Sequence, residues 1–263
     1  MPQPRPPTAA DFSTLPPDLQ IALIPPSPSP DSPATPTVNA ILLLFHGLGD
    51  TESSFAQFAR NLNLPGVFAI SVRGVNSIPA SLITDSFSSS SPRGYFHWGD
   101  DLETSLSGNG GEYFTKARDM VLNNLVRDVL IAKCGWATRD ILLFGFGQGG
   151  SFALGLASWV SSGRFEVGGG EDGDVFRGVV AVGGRVPDSM IVGGTGNKKA
   201  RTPVLVCRGR RSEVVDEEAV EVLREVFEDV QVVEWKRDED GMPREREEVV
   251  PLMRFFADRL RAW

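Results

Sequence analysis

From Ala40 onward, short wholly apolar runs alternate with segments whose apolar residues recur at helical spacing, and this alternation constrains the fold more than any other feature. Ile41 to Phe45, Val67 to Val72, Ile141 to Phe144, Val179 to Val182, Val204 to Cys207 and Gln231 to Trp235 read as strands. Between them, Phe114, Ala117, Val121, Leu125 and Val129 recur at helical spacing, as do Ala219, Val222, Leu223, Val226 and Phe227. A strand that is apolar on both faces has to be covered on both faces. The pattern therefore predicts an α/β fold, a mostly parallel sheet with helices on both sides. At 263 residues, 41% of them hydrophobic, the chain has material for a full core in one large domain or two small ones.

The start of the chain follows different rules. Twelve of the 19 prolines precede Val38, so residues 1–37 read as an extended, poorly packed segment, and residues 38–263 as the domain proper. Within that segment Leu19 to Ile24 is β-prone and reads as an edge strand, with Pro25 to Pro36 as the linker. Two later regions break the rhythm. Gly74 to Gly111 is too long for an ordinary connection and carries an aromatic and charged island, Tyr95-Phe96-His97-Trp98-Gly99-Asp100-Asp101, which predicts an ordered loop folded over the sheet edge. Val167 to Asp174, acidic and glycine-rich, reads as a solvated surface loop.

A formal charge of -8 and a pI near 4.9 leave no basic footprint for nucleic acid or for an anionic membrane surface. No apolar stretch approaches the roughly 18 residues of a transmembrane span, and the N-terminus lacks the apolar region of a signal peptide, so the expected location is the cytosol. Cys134 and Cys207 have no metal-ligand spacing and read as buried thiols. No metal and no cofactor are expected.

One hexapeptide, Gly145-Phe146-Gly147-Gln148-Gly149-Gly150, sits between an apolar run and a helical segment and admits two readings. Taken literally it is G-x-G-x-x-G, the loop that cradles a dinucleotide phosphate; that reading needs an acidic residue about 20 residues on to hold the ribose, and Glu166, in a short polar stretch, is the nearest. Taken as an altered G-x-S-x-G it is a nucleophile elbow with Gly147 at the serine. The elbow requires an upstream loop that offers an oxyanion-hole N–H from the end of an earlier strand. Ile41 to Phe45 runs into such a loop, His46-Gly47-Leu48-Gly49-Asp50-Thr51.

With these two motifs the chain resembles the phospholipase/carboxylesterase family of α/β-hydrolases, which includes acyl-protein thioesterases. Trp98-Gly99-Asp100 looks like that family's Trp-Phe-Asp loop, and the resemblance runs from about Ala40 to the C-terminus. It implies an oxyanion hole made by the backbone N–H groups of Leu48 and Gln148. The nucleophile position falls on Gly147. The acid, expected in a His-Gly-x-x-Asp pattern, falls on Ser212 of Arg208-Gly209-Arg210-Arg211-Ser212, and the base, expected after Gly241-Met242, falls on Arg244. The only histidines are His46 and His97, both upstream of Gly147, whereas the fold's order of nucleophile, acid and base requires one downstream. Arginine is no base near neutral pH.

Other groups are weighed in the same light. Asp216, followed by Glu217 and Glu218, reads as a helix cap and not as a displaced acid. Ser151, one helical turn past Gly147, reads as a small packing residue or as a substitute nucleophile. His97 beside Asp100 or Asp101 reads as structural or as a base for water, and His46 as the residue that orders its own loop. The expectation is an α/β-hydrolase that keeps an oxyanion hole and an acyl pocket under the Trp98 loop but is catalytically impaired or inactive. Its expected partners are an acyl ester, a lysolipid or a lipidated protein. The alternatives are a carboxylic-ester or thioester hydrolase working through water or Ser151, and a dinucleotide-binding protein.

Overall fold

The computed structural model describes residues 3–27, 37–79, 81, 94–107, 113–165, 167, 174–191 and 198–261. The predicted strands are β2 (Ala40–Phe45), β3 (Val67–Val72), β6 (Ile141–Phe146), β7 (Gly178–Val182), β8 (Val204–Arg208) and β9 (Val230–Glu234). With β1 (Ile21–Ile24) they form one seven-stranded sheet in the order β1-β3-β2-β6-β7-β8-β9, parallel except for β1, which pairs antiparallel with β3 at the edge. Successive side chains point to opposite faces of a strand, and β2 divides accordingly. Ile41, Leu43 and Phe45 join one core layer, and Ala40, Leu42 and Leu44 the other. This is why its sequence shows no polar alternation.

Helix α1 (Glu52–Leu62) and helix α6 (Arg246–Arg261) cover the second layer through Phe55, Ala56, Ala59, Leu252, Phe255 and Phe256. The first layer lies under α4 (Gln148–Ser161), α5 (Glu217–Val226) and α3, whose α-helical start at Thr115–Asp119 continues into a wider π-type winding over Met120–Lys133. The wider winding turns seven residues of that second part inward, Val121, Leu122, Leu125, Val126, Val129, Leu130 and Ile131. A two-residue hairpin, β4 (Asn76–Ser77) with β5 (Phe96–His97), brackets the long connection, and α2 (Leu102–Ser107) follows it. Residues 82–93 and 108–112 of that connection lie outside the described residues, as do residues 28–36 of the predicted linker and residues 168–173 of the predicted acidic loop.

Two expectations need correction. The N-terminal segment is not poorly packed where it is described. Phe12 and Leu19 are buried in the first core layer, and the backbone around them is tied to the end of α3. Arg5 donates its N–H to Cys134 O at 3.0 Å and pairs with Asp11 at 2.6 Å, Trp136 Nε1 donates to Arg5 O at 2.9 Å, and Lys133 Nζ donates to Thr14 Oγ1 at 2.7 Å. Amid the prolines a short 3-10 helix, Ala9–Phe12, places Phe12, and two apolar side chains and a few charged ones dock the stretch. Asp174, at the end of the predicted solvated loop, is buried, where it accepts from Thr138 Oγ1 at 3.0 Å and from Val167 N at 2.9 Å.

Because Phe12 fills space in the shared core, Phe12→Ala is expected to cost about 3 kcal/mol and to lower the melting temperature of the whole domain in a single transition. A separate low-temperature transition in calorimetry, with the main one unmoved, would contradict this packing.

Candidate functional site

Strand β6 ends at Phe146 and helix α4 begins at Gln148, so the chain reverses at one residue. That residue is Gly147, with φ 51° and ψ -121°, a conformation that L side chains rarely adopt. The turn is this tight because its neighbours have no side chains. A Cβ on Gly145 would overlap the carbonyl of Gly149, and one on Gly149 would overlap the carbonyls of Phe45 and His46. At Gly147 the opposite holds, since among the described residues, its own chain neighbours aside, no atom lies within 4 Å of where its Cβ would stand. Gly147 N–H donates to Val182 O at 2.8 Å, and its own carbonyl accepts from Ser151 N–H at 3.0 Å. Gly145 and Gly149 are thus occupied with backbone-to-backbone packing and do not cradle a phosphate. The dinucleotide reading also lacks its acid in β7, which ends at Val182, while Glu166 lies outside the described residues.

The upstream loop abuts this turn. A Cβ on Gly47 would stand 2.8 Å from the Phe146 ring, so Leu48 and Gln148 begin neighbouring segments at the carboxyl ends of β2 and β6. These are adjacent strands on either side of the point where the sheet order reverses, the usual place for a site in an α/β sheet. His46 is fully buried and orders the loop, as expected. Its Nε2 accepts from Gly74 N–H at 2.8 Å, which leaves the proton on Nδ1 to donate to Gly47 O at 2.7 Å. Burial holds it below the ordinary histidine value, so it is neutral. Trp98 locks the two loops together. Its indole Nε1 donates to His46 O at 2.8 Å, and its backbone N–H donates to Gln148 Oε1 at 2.9 Å. The ring is wholly buried, stacked on Phe152 at 4.9 Å and edge-on to Phe45 at 5.3 Å. Trp98 therefore fills the space between loop and elbow.

The remaining candidates fall into structural places. Asp100 does not face His97; its carboxylate accepts from Thr115 N at 2.8 Å and Lys116 N at 3.0 Å and caps α3. His97 is buried in the small hairpin, and burial lowers its pKa against a weaker pull from Asp101. Ser151 Oγ accepts from Arg185 N–H at 3.1 Å inside the α4 and β7 junction, which ties it to the backbone there. Asp216 accepts from Ala219 N at 2.8 Å as the N-cap of α5. Cys134 and Cys207 are free and buried, and burial pushes both thiols up, away from the reactive thiolate. Among the described residues no group of three or more His, Cys, Asp or Glu is arranged to hold a metal.

At the positions that the resemblance gives to acid and base, Ser212 Oγ donates to Asp240 Oδ2 at 2.6 Å, while the Arg244 side chain is exposed. Arg244 contributes its backbone N–H, which donates to Glu248 Oε2 at 2.8 Å. Asp240 is the residue that sequence reasoning missed; its only sequence signal is an acidic run, Asp238-Glu239-Asp240, ahead of Gly241-Met242. An apolar pocket of about 200 Å³ lies elsewhere, lined by Ile24, Pro26, Ala59, Leu62, Leu64 and Val67 under α1 and the edge strand. None of the elbow residues lines it, so it is not the acyl pocket expected under Trp98.

Two predictions follow from this geometry. Gly149→Ala drives a methyl into two carbonyls and is expected to prevent folding or cost more than about 4 kcal/mol, whereas Gly147→Ala meets only backbone strain of roughly 1–3 kcal/mol; comparable losses in urea titration would contradict the assignment. Burial lowers both histidines, so the unfolded chain takes up protons first as the pH falls. Their stability contribution is complete above about pH 6.5 and declines below it, by at most about 1.4 kcal/mol per histidine per pH unit. His46→Gln should therefore flatten the melting temperature between about pH 7 and 5 relative to the parent.

Comparison with known proteins agrees with this geometry. An uncharacterized hydrolase of Schizosaccharomyces pombe is 29% identical over 204 residues, 77% of this chain and 75% of that protein. An uncharacterized hydrolase of Mycosarcoma maydis is 33% identical over 128 residues, 46% of this chain and 43% of its own length. Among solved structures, Zea mays acyl-protein thioesterase 2 superposes with a TM-score of 0.62 at 20% identity, over 92% of this chain and 99% of that one. The Bacillus cereus carboxylesterase gives 0.58 at 15% identity over 92% and 94%. Among the described residues no helix is long and apolar enough to cross a membrane. Residues 29–260 match the phospholipase/carboxylesterase family, and with its parallel sheet, elbow turn and abutting His46 loop the chain belongs to that family of α/β-hydrolases.

Proposed function

We propose that this chain recognises a carboxylic ester or thioester at the cleft above Gly147 and is catalytically impaired, forming no acyl-enzyme through serine. The observation that carries this reading is Gly147 itself, an elbow residue in the strained conformation with open space above it and no side chain to attack with. Ser212 and Arg244 support it, because a hydroxyl bonded to Asp240 and an exposed guanidinium provide neither the acid nor the base of a triad. The resemblance gives the oxyanion hole to backbone donors, the N–H groups of Leu48 and Gln148, a role that does not depend on the identity of their side chains. Hydrolase relatives and the thioesterase-like fold favour an acyl ester, a lysolipid or a lipidated protein as the ligand, met in the cytosol. The bonds made by Ser151 Oγ and Asp100 weigh against routes through Ser151 or a His97–Asp100 pair.

A fluorophosphonate probe is expected to leave the protein unlabelled, and p-nitrophenyl butyrate to give no acylation burst. A long-chain ether lysolipid, which cannot be hydrolysed, is expected to raise the melting temperature by several degrees at saturation, as about 2.7 kcal/mol of linkage at 100 times Kd requires. Gly147→Ser is expected to restore no burst and to lose roughly 1–3 kcal/mol of stability. Serine labelling that disappears in Ser151→Ala would sink the proposal.

A further inference from the structure

The loops after β7, β8 and β9 converge on one carboxylate that the family resemblance does not use. Asp240 Oδ1 accepts from Gly209 N–H at 2.8 Å, and Oδ2 accepts from Ser212 Oγ at 2.6 Å. Ser212 Oγ itself accepts from Val215 N–H at 2.8 Å, which fixes the direction of its own proton toward Asp240. The loop after β7 makes room for this carboxylate. Gly183 has φ 64°, and a Cβ there would lie 2.9 Å from Asp240 Cβ and 3.5 Å from Oδ2. Gly183 directly follows Val182, whose carbonyl accepts the Gly147 N–H at 2.8 Å. Asp240 therefore packs against the residue that directly follows the strand end to which Gly147 is tied.

We propose that Asp240 is a general base that activates water for ester hydrolysis in this cleft. It stands on the β9 loop four residues before Arg244, it bonds to Ser212 at the position that the resemblance gives to the acid, and it packs on Gly183 beside the strand end that holds Gly147. The proposal rests on the reading that the cleft above Gly147 admits an acyl ester. Water takes the volume that a serine side chain would fill. Its oxygen bonds to the acyl carbon, its proton moves to Asp240 Oδ2, and the carbonyl π pair becomes an oxyanion facing the Leu48 and Gln148 N–H groups. Collapse re-forms the carbonyl and expels the alkoxide or thiolate, which takes the proton from Asp240. The carboxylate is regenerated and no other reactant is consumed. A carboxylate oxygen holding one hydrogen bond keeps a lone pair for the water, and Ser212 and Gly209 hold it in orientation. A carboxylate is a weaker base than imidazole, so activated esters and thioesters are the substrates this site suits.

The full-length protein is tested on p-nitrophenyl acetate and on an acyl thioester, with Asp240→Asn, Asp240→Ala and Asp240→Glu alongside. The parent is expected to turn over slowly, without a burst and with a normal solvent deuterium isotope effect. Asp240→Asn should lower kcat roughly 100-fold with KM little changed, as loss of a general base does. Formate should restore part of the turnover of Asp240→Ala, a rescue that a merely structural role would not give. If the asparagine variant does not fold, Asp240→Glu keeps the charge and is expected to fold with reduced kcat. Turnover in folded Asp240 variants equal to the parent overturns the proposal, as does a parent no faster than buffer. In that second case stabilisation by the ether lysolipid leaves the cleft reading standing, and its absence removes both.

Discussion

The site depends on a backbone contact before it depends on any side chain. At Gly149 the first turn of α4 lies directly on the carbonyls of Phe45 and His46, and at Gly145 the end of β6 lies on the carbonyl of Gly149. Only glycine permits this approach, so helix, strand β2 and strand β6 form one rigid corner. Everything that faces the cleft is referenced to that corner. Trp98 bonds to His46 O on one side and to Gln148 on the other, His46 anchors Gly74, and Gly147 is tied to Val182. A buried network of this kind is fully satisfied and therefore stiff, whether or not a nucleophile stands in its centre.

This separation fits the proposed reading, in which the hydrolase scaffold persists without its triad residues. The corner, the His46 loop and Trp98 are buried, and altering any of them leaves unpaired polar groups or voids in the core. The positions that the resemblance gives to nucleophile, acid and base lie at loop ends, where Gly147 has free space above it, Ser212 is half-buried and Arg244 is exposed. Substitution there disturbs little packing. At the elbow it even removes strain, because a non-glycine residue at φ 51° costs roughly 1–3 kcal/mol. The catalytic geometry and the stability of the fold are thus carried by different residues.

The same division decides what was legible in the sequence. Strands β2, β3 and β6 to β9 were readable because a strand covered on both faces leaves an unbroken apolar run, and the elbow was readable because its glycines are sterically obligatory. Edge strand β1 was readable from β-propensity, and of the predicted Leu19 to Ile24 only Leu19 and Gln20 fall outside the strand. The docking of residues 3–19 was not readable, since it rests on Phe12, Leu19 and a few polar bonds scattered among prolines, with no period to follow. The role of Asp100 was not legible, because it is the capping demand of α3, which starts 15 residues later, that decides where its carboxylate points. The packing of the Trp98 ring on Phe45 and Phe152 was not legible, since a tryptophan in a long loop gives no sign of which strand and helix it will sit on.

Asp240 was illegible for a more general reason. Matching positions one by one along a family pattern asks which residue has replaced the acid and which the base, and it finds Ser212 and Arg244. It does not ask whether a carboxylate has entered from a neighbouring position on the same loop. In space the hydroxyl and the carboxylate meet at 2.6 Å, with the donor on the β8 loop and the acceptor on the β9 loop, the reverse of an acid on the first and an imidazole on the second. Gly183 is what makes the exchange sterically feasible, since its missing side chain leaves the volume that Asp240 takes. A polar pair rebuilt in reversed order preserves the tie between two loops that the original acid and base supplied. If Asp240 acts on water as proposed, its carboxylate disfavours an anionic substituent near the carbonyl of the ester, so the acyl groups that suit the site are those without one.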